Sequence, residues 1–156
     1  MKQLAPDSPC PCGGVVGGGE STAAAHPMRK ASTKSAPTQN YGQCCGRWLE
    51  ADAILGAVAP DAQQLMRSRY TAFALEREAY LLATWHPSQR PAQIVFEPGV
   101  KWLGLEVRAA RSTGADSAEV EFVARYRMDG RAVRVHERSR FLRIGERWFY
   151  VDGDAL

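Results

Sequence analysis

All four cysteines of this chain fall in two tight pairs, Cys10-Pro11-Cys12 and Cys44-Cys45. Whatever else the chain does, its fold must either bring those pairs to one point or leave four thiols apart. A one-residue gap and a zero-residue gap let each pair bend around a single ion, and four thiolates at about 2.3 Å satisfy a tetrahedral zinc. Gly13 and Gly46 follow the pairs and permit the tight backbone such a knuckle needs. Disulfides and free thiols are the competing accounts. Adjacent Cys44 and Cys45 bridge each other only with strain, as do Cys10 and Cys12. Bridges across the pairs are sterically open. Zinc at Cys10, Cys12, Cys44 and Cys45 is the expected cofactor, and a closed four-thiolate set is structural, not catalytic.

The compartment bears on that choice. Met1-Lys2-Gln3-Leu4-Ala5-Pro6-Asp7 has no apolar core behind its lysine, so no signal peptide is expected. No stretch approaches the roughly 18 apolar residues of a membrane span. The expected location is the cytoplasm, where clustered cysteines stay reduced and favour metal. Charge is uneven. Residues 1–48 hold five basic residues against two acidic ones, and residues 49–156 hold fifteen of each. A neutral main domain makes no bulk case for nucleic acid.

The rhythm of the rest sets the fold class. Residues 13–40, Gly-rich and then Ser/Thr/Ala/Lys/Pro-rich, read as a mobile insert. Trp48, Leu49, Ile54, Leu55 and Val58 suggest a short amphipathic joint. Asp61 with Gln64 is a capping-box pattern. Leu65, Met66, Arg69, Tyr70 and Phe73 then recur at helical spacing. Helical character continues through Tyr80 to Trp85, with a break expected near Arg77-Glu78 and an end at His86-Pro87. Beyond the short run Ile94-Val95-Phe96 the period becomes two. Leu103, Leu105 and Val107 share one face, with Trp102, Glu106 and Arg108 opposite. Val120, Phe122, Ala124 and Tyr126 form a second stripe, and Val133, Val135, Glu137, Ser139 and Phe141 a third. Asp129-Gly130 is a strong hairpin signal. Helices followed by a meander of strands predict an α+β domain over 49–156, with the helices on one side of an antiparallel sheet. The knuckle and its insert occupy 1–48.

Blocks along the chain carry a resemblance. Cys-Pro-Cys-Gly followed by Tyr-x-x-Cys-Cys-Gly is similar to the SEC-C zinc motif at the C-terminus of the SecA translocation ATPase. Leu65-Met66-Arg67-Ser68-Arg69-Tyr70, Thr84-Trp85-His86-Pro87, Trp102-Leu103-Gly104-Leu105, Phe122-Val123-Ala124-Arg125-Tyr126, Glu137-Arg138-Ser139-Arg140-Phe141 and Trp148-Phe149-Tyr150-Val151-Asp152-Gly153 resemble the bacterial YchJ family. The resemblance implies a nuclear transport factor 2-like cone and zinc on the four cysteines. It implies no reaction. The SEC-C pairs sit about eight residues apart, whereas 31 residues separate Cys12 from Cys44; two doublings of loop length cost only about 1.2 kcal/mol. That is small beside the roughly 10–16 kcal/mol apparent for structural zinc.

Charges inside apolar stripes are paired when buried. Arg69 and Glu137 are therefore expected to point into the cone, as an ion pair or as the polar floor of a pocket that also includes Tyr70 and Ser139. Trp85 and His86 are expected at its rim, and Trp102, Trp148 and Tyr150 in its wall or in the core. Two functions compete. In one, the protein is an adaptor whose knuckle docks a partner protein. In the other, the cone receives a small ligand, or turns one over with His86 or Glu137 as base.

Overall fold

The computed structural model describes residues 1–14, 37–51 and 58–156. Most of the expected mobile insert, and Ile54 and Leu55 of the expected joint, lie outside them. The insert's ends do not hang free. Cys10 N donates to Gln39 O, Gln39 N donates to Gly14 O, and Pro9 pairs with Asn40. These bonds bring the two cysteine pairs together at the base of the long connection.

A 3₁₀ turn (Tyr41–Gln43) and a single-turn helix α1 (Gly46–Leu49) carry the second cysteine pair. Helix α2 (Ala62–Ala74) starts where its cap predicts, with Asp61 accepting from Gln64 N at 2.7 Å. It stops at Leu75 because Glu76 adopts φ 57°, and α3 (Glu78–Ala83) follows. The chain then runs beside the last strand: Tyr150 N donates to Thr84 O and His86 N to Tyr150 O.

Four strands form an antiparallel meander in the order β1 (Lys101–Gly114), β2 (Ser117–Met128), β3 (Arg131–Ile144), β4 (Arg147–Ala155). Asp129 and Gly130 take φ 49° and 76° in the two-residue loop between β2 and β3, the left-handed pair that such a hairpin requires. Ile94-Val95-Phe96 joins no ladder. Instead, Ile94 N donates to Glu78 Oε1 and Phe96 packs edge-on to Phe73.

One face assignment is corrected. The register of β1 against β2 slips between Trp102 and Gly104, so the alternation changes phase there. Trp102 joins Leu105 and Val107 against the core, and Leu103 is left 45% exposed. A strict period of two cannot see such a slip.

The knuckle shares the core of the main domain. Cys10, Cys12, Cys44, Cys45 and Tyr41 are buried in one continuous cluster with Leu65, Met66, Tyr70 and Phe141. Helix α2 lies between the cysteines and the concave face of the sheet.

Candidate functional site

The four thiols converge. Their sulfurs all lie within 4.8 Å of one another, and each cysteine is at most 4% exposed. Cys12 Sγ is 3.6 Å from Cys44 Sγ, and Cys44 Sγ is 3.9 Å from Cys45 Sγ. A tetrahedron of about 2.3 Å metal–sulfur bonds has edges of about 3.8 Å, so the set fits one four-thiolate metal ion. None of the four is bridged, and the measured separations are nearly twice the roughly 2.05 Å of a disulfide.

The local chain explains the convergence. Gly13 holds φ 67°, and Gly14 N donates to Cys12 Sγ at 3.4 Å. Gly46 passes so close to the 3₁₀ turn that a Cβ there would sit 2.7 Å from Tyr41 O. Its bonds to Cys10, Cys12 and Cys44, together with burial, push the Cys45 thiol up.

Helix α2 supplies outer support that the sequence reading missed. Thr71, fully buried, places Oγ1 3.9 Å from Cys10 Sγ, and Arg67 Nη1 donates to Cys12 O at 3.2 Å. Arg67 and Thr71 stand one turn apart, so one face of α2 holds the knuckle. That spacing is legible in sequence, but nothing local says that a knuckle covers it.

The adjoining face of α2 closes a cavity of about 190 Å³ over the sheet. Arg69, Tyr70, Trp85, Glu137 and Ser139 all line it, together with Trp102, Tyr150 and apolar side chains. His86 does not. Its Nδ1 bonds the Ser88 hydroxyl at 2.7 Å and its ring packs edge-on to Phe149. The backbone bridge to β4 turns that side chain off the rim, so His86 and Glu137 are not brought together. Trp148 is likewise off the cavity, beneath the Arg143 guanidinium.

The expected Arg69–Glu137 ion pair is not made. Arg69 is 5% exposed, and its Nη1 donates to Leu81 O at 2.8 Å and Thr84 Oγ1 at 2.7 Å. Its guanidinium carbon lies 4.6 Å from the Tyr150 ring centre and 5.0 Å from that of Trp85. Its Nε and Nη2 have no hydrogen-bond partner among the described residues. Glu137 Oε1 instead accepts from Ser139 Oγ at 2.7 Å and Tyr150 OH at 3.2 Å. Tyr150 thus stands between the two charges, bonding one through its hydroxyl and covering the other with its ring. Burial lowers Arg69 to about 10, which still leaves it a cation at neutral pH, and pushes Tyr70 up to about 12.

Residues 61–153 match the family model described as the YchJ middle NTF2-like domain. The chain belongs to the YchJ family. It is 54% identical over 149 residues to a UPF0225 protein of Polaromonas naphthalenivorans, spanning 96% of this chain and 98% of the relative. A UPF0225 protein of Xanthomonas campestris is 43% identical over 155 residues, spanning 97% and 98%. The solution structure of a SEC-C motif containing protein from Rhodopseudomonas palustris superposes with a TM-score of 0.65 at 32% identity, covering 77% of this chain and 94% of that one. The crystal structure of a SEC-C motif containing protein from Psychrobacter arcticus gives 0.70 at 24% identity, covering 94% and 82%, a likeness of fold. The YchJ assignment therefore places the NTF2-like cone and the SEC-C cysteines in one molecule. Among the described residues no helix is long and apolar enough to cross a membrane.

Proposed function

We propose that the protein is a zinc-clamped binding protein of the cytoplasm whose cone pocket receives a small ligand. The zinc is structural: four buried thiolates complete its coordination and leave no position for water or substrate. The observation that carries the ligand reading is Arg69. A guanidinium buried without a carboxylate partner costs several kcal/mol unless something compensates it. Arg69 is kept in that state at the wall of an open cavity, where a bound ligand can reach its free edge. A binding role ranks above an enzymatic one because His86 lies outside the cavity and Glu137, inside it, already accepts two hydroxyl bonds on Oε1. Docking of a protein partner by the knuckle ranks below it, because the groups around the cysteines grip α2.

Two measurements test the reading. Metal analysis of protein purified under reducing conditions is expected to give one zinc per chain; less than about half an equivalent removes the zinc assignment. A fragment library screened by amide NMR is expected to yield hits that shift Met66, Trp102 and Tyr150 and that vanish in Ala124→Leu, which fills the cavity from β2. Hits indifferent to that filling, or no hit at these residues, remove the pocket reading.

A further inference from the structure

We infer that the cone pocket selects a single-ring aromatic carboxylate carrying a hydrogen-bond donor at its far end. The inference rests on the pocket reading above and adds the chemistry of the occupant.

Size comes first. An apolar protein cavity of about 150 Å³ holds one benzene. At about 190 Å³ this cavity has room for one ring and a small substituent at each end. The walls favour a ring. Tyr70 and Trp102 meet edge to face at 5.3 Å, and Trp85 and Tyr150 at 5.2 Å. Aromatic surfaces arranged this way gain from a flat guest beyond its area alone.

Charge comes second. At one end Arg69 offers Nε and Nη2 with no protein partner among the described residues, and Nη1 is already bonded to Leu81 O and Thr84 Oγ1. Those two bonds fix the guanidinium plane and leave one edge for a planar acceptor. The Trp85 ring, 5.0 Å from the guanidinium carbon, packs against its face and leaves that edge open to the cavity. A carboxylate is the small group that takes two parallel N–H bonds from guanidinium.

The other charged group does not compete for that role. Glu137 is half-buried, and its Oε1 accepts two hydroxyl donors, from Ser139 and Tyr150. Its demand is for a donor on the remaining oxygen, which a phenol or aryl amine supplies. The unmet need of the site is therefore an anion at Arg69 and a neutral donor at Glu137. A cationic guest would satisfy Glu137 and leave Arg69 unpaired.

Isothermal titration of the zinc-loaded full chain separates the possibilities. The probes are 4-hydroxybenzoate, benzoate, 4-methylphenol and tyramine. Hydrogen bonds to a charged partner predict that 4-hydroxybenzoate binds about ten- to hundredfold more tightly than 4-methylphenol. Arg69→Met is expected to erase that preference. Glu137→Gln is expected to reduce the advantage that the hydroxyl gives 4-hydroxybenzoate over benzoate. Should Arg69→Met fail to fold by circular dichroism, Arg69→Lys, which keeps the charge and removes the two-pronged edge, is expected to weaken both carboxylates and spare 4-methylphenol. Equal or tighter binding of 4-methylphenol or tyramine overturns the anion inference while leaving a ligand pocket standing. Failure of all four probes while NMR hits persist in the cavity also overturns it; failure of both removes the pocket reading itself.

Discussion

Thr71→Val is the sharpest probe of how the main domain serves the metal. The substitution nearly conserves shape at a fully buried site and removes one hydroxyl, whose only hydrogen-bond partner among the described residues is Cys10 Sγ at 3.9 Å. With metal bound, Cys10 is a thiolate and Thr71 donates to it. Losing an outer-shell donor of this kind costs about 10- to 100-fold in metal affinity. The contact is long even for sulfur, so the low end applies: about tenfold, or about 1.4 kcal/mol. Without metal the partner is a thiol, and replacing a weak neutral bond with a buried methyl is expected to change stability by no more than about 0.5 kcal/mol. The assay is competition against a chromophoric chelator, paired with urea unfolding of the metal-free and loaded forms. Affinity within about twofold of wild type would refute the reasoning, and so would an equal loss of stability in both forms, because an outer-shell effect acts through the ion.

Three further outcomes follow from the geometry. Gly46→Ala is expected to destabilise the protein by about 1–3 kcal/mol in urea unfolding, because its Cβ would meet Tyr41 O at 2.7 Å and a backbone oxygen cannot swing aside; helix propensity alone forecasts the opposite sign. Gly153→Ala would place a Cβ against the Glu137 side chain and drive its Oε1 off Ser139 and Tyr150, so a loss of about 1–3 kcal/mol is expected, and selectivity for 4-hydroxybenzoate over benzoate falls as it does in Glu137→Gln. Burial raises Tyr70 and Tyr80 to about 12, so the folded chain keeps protons that the unfolded chain loses from pH 10 upward. Their contribution is complete below pH 10 and is lost as pH rises towards 12; with Tyr41 and Tyr150 pushed up as well, the native absorbance at 295 nm is expected to lack four tyrosinates at pH 11 that appear on unfolding. Arg69, lowered to about 10, acts in the opposite sense over the same window, so Tyr80→Phe is the control that isolates a tyrosine's share.

What was legible in the sequence was local. Asp61 caps its helix through a bond to a residue three positions on, and Asp129-Gly130 turns a hairpin through its own dihedral preferences. The cysteine pairs announce their chemistry by residue type. The candidate pocket was half legible: Glu137, Ser139 and Phe141 share a stripe by simple alternation, and Arg69 sits on the same helix face as Met66, Tyr70 and Phe73. What failed depended on contacts between distant segments. Trp102 changed face because of a register slip that only the partner strand imposes. His86 left the rim because its backbone pairs with Tyr150, some sixty residues on. Arg69 found aromatic rings, one carbonyl and one hydroxyl where a carboxylate was expected, since Tyr150 occupies the space between the charges.

The same long-range logic gives α2 its double role. Within about two turns it presents Arg67 and Thr71 to the knuckle and Met66, Arg69, Tyr70 and Phe73 to the cavity. A helix cannot rotate one of these sets without the other, because side chains three and four apart move as one rigid face. An ion held by Cys10 and Cys12 would therefore set the roll of α2, and the roll of α2 sets where the Arg69 guanidinium meets Tyr150 and Trp85. Such an ion would belong to the pocket's architecture although no thiolate lines the pocket. The long connection between the cysteine pairs is tolerated for the same reason: Pro9, Gln39 and Asn40 close its base, so its length adds little strain to the helix the knuckle must hold.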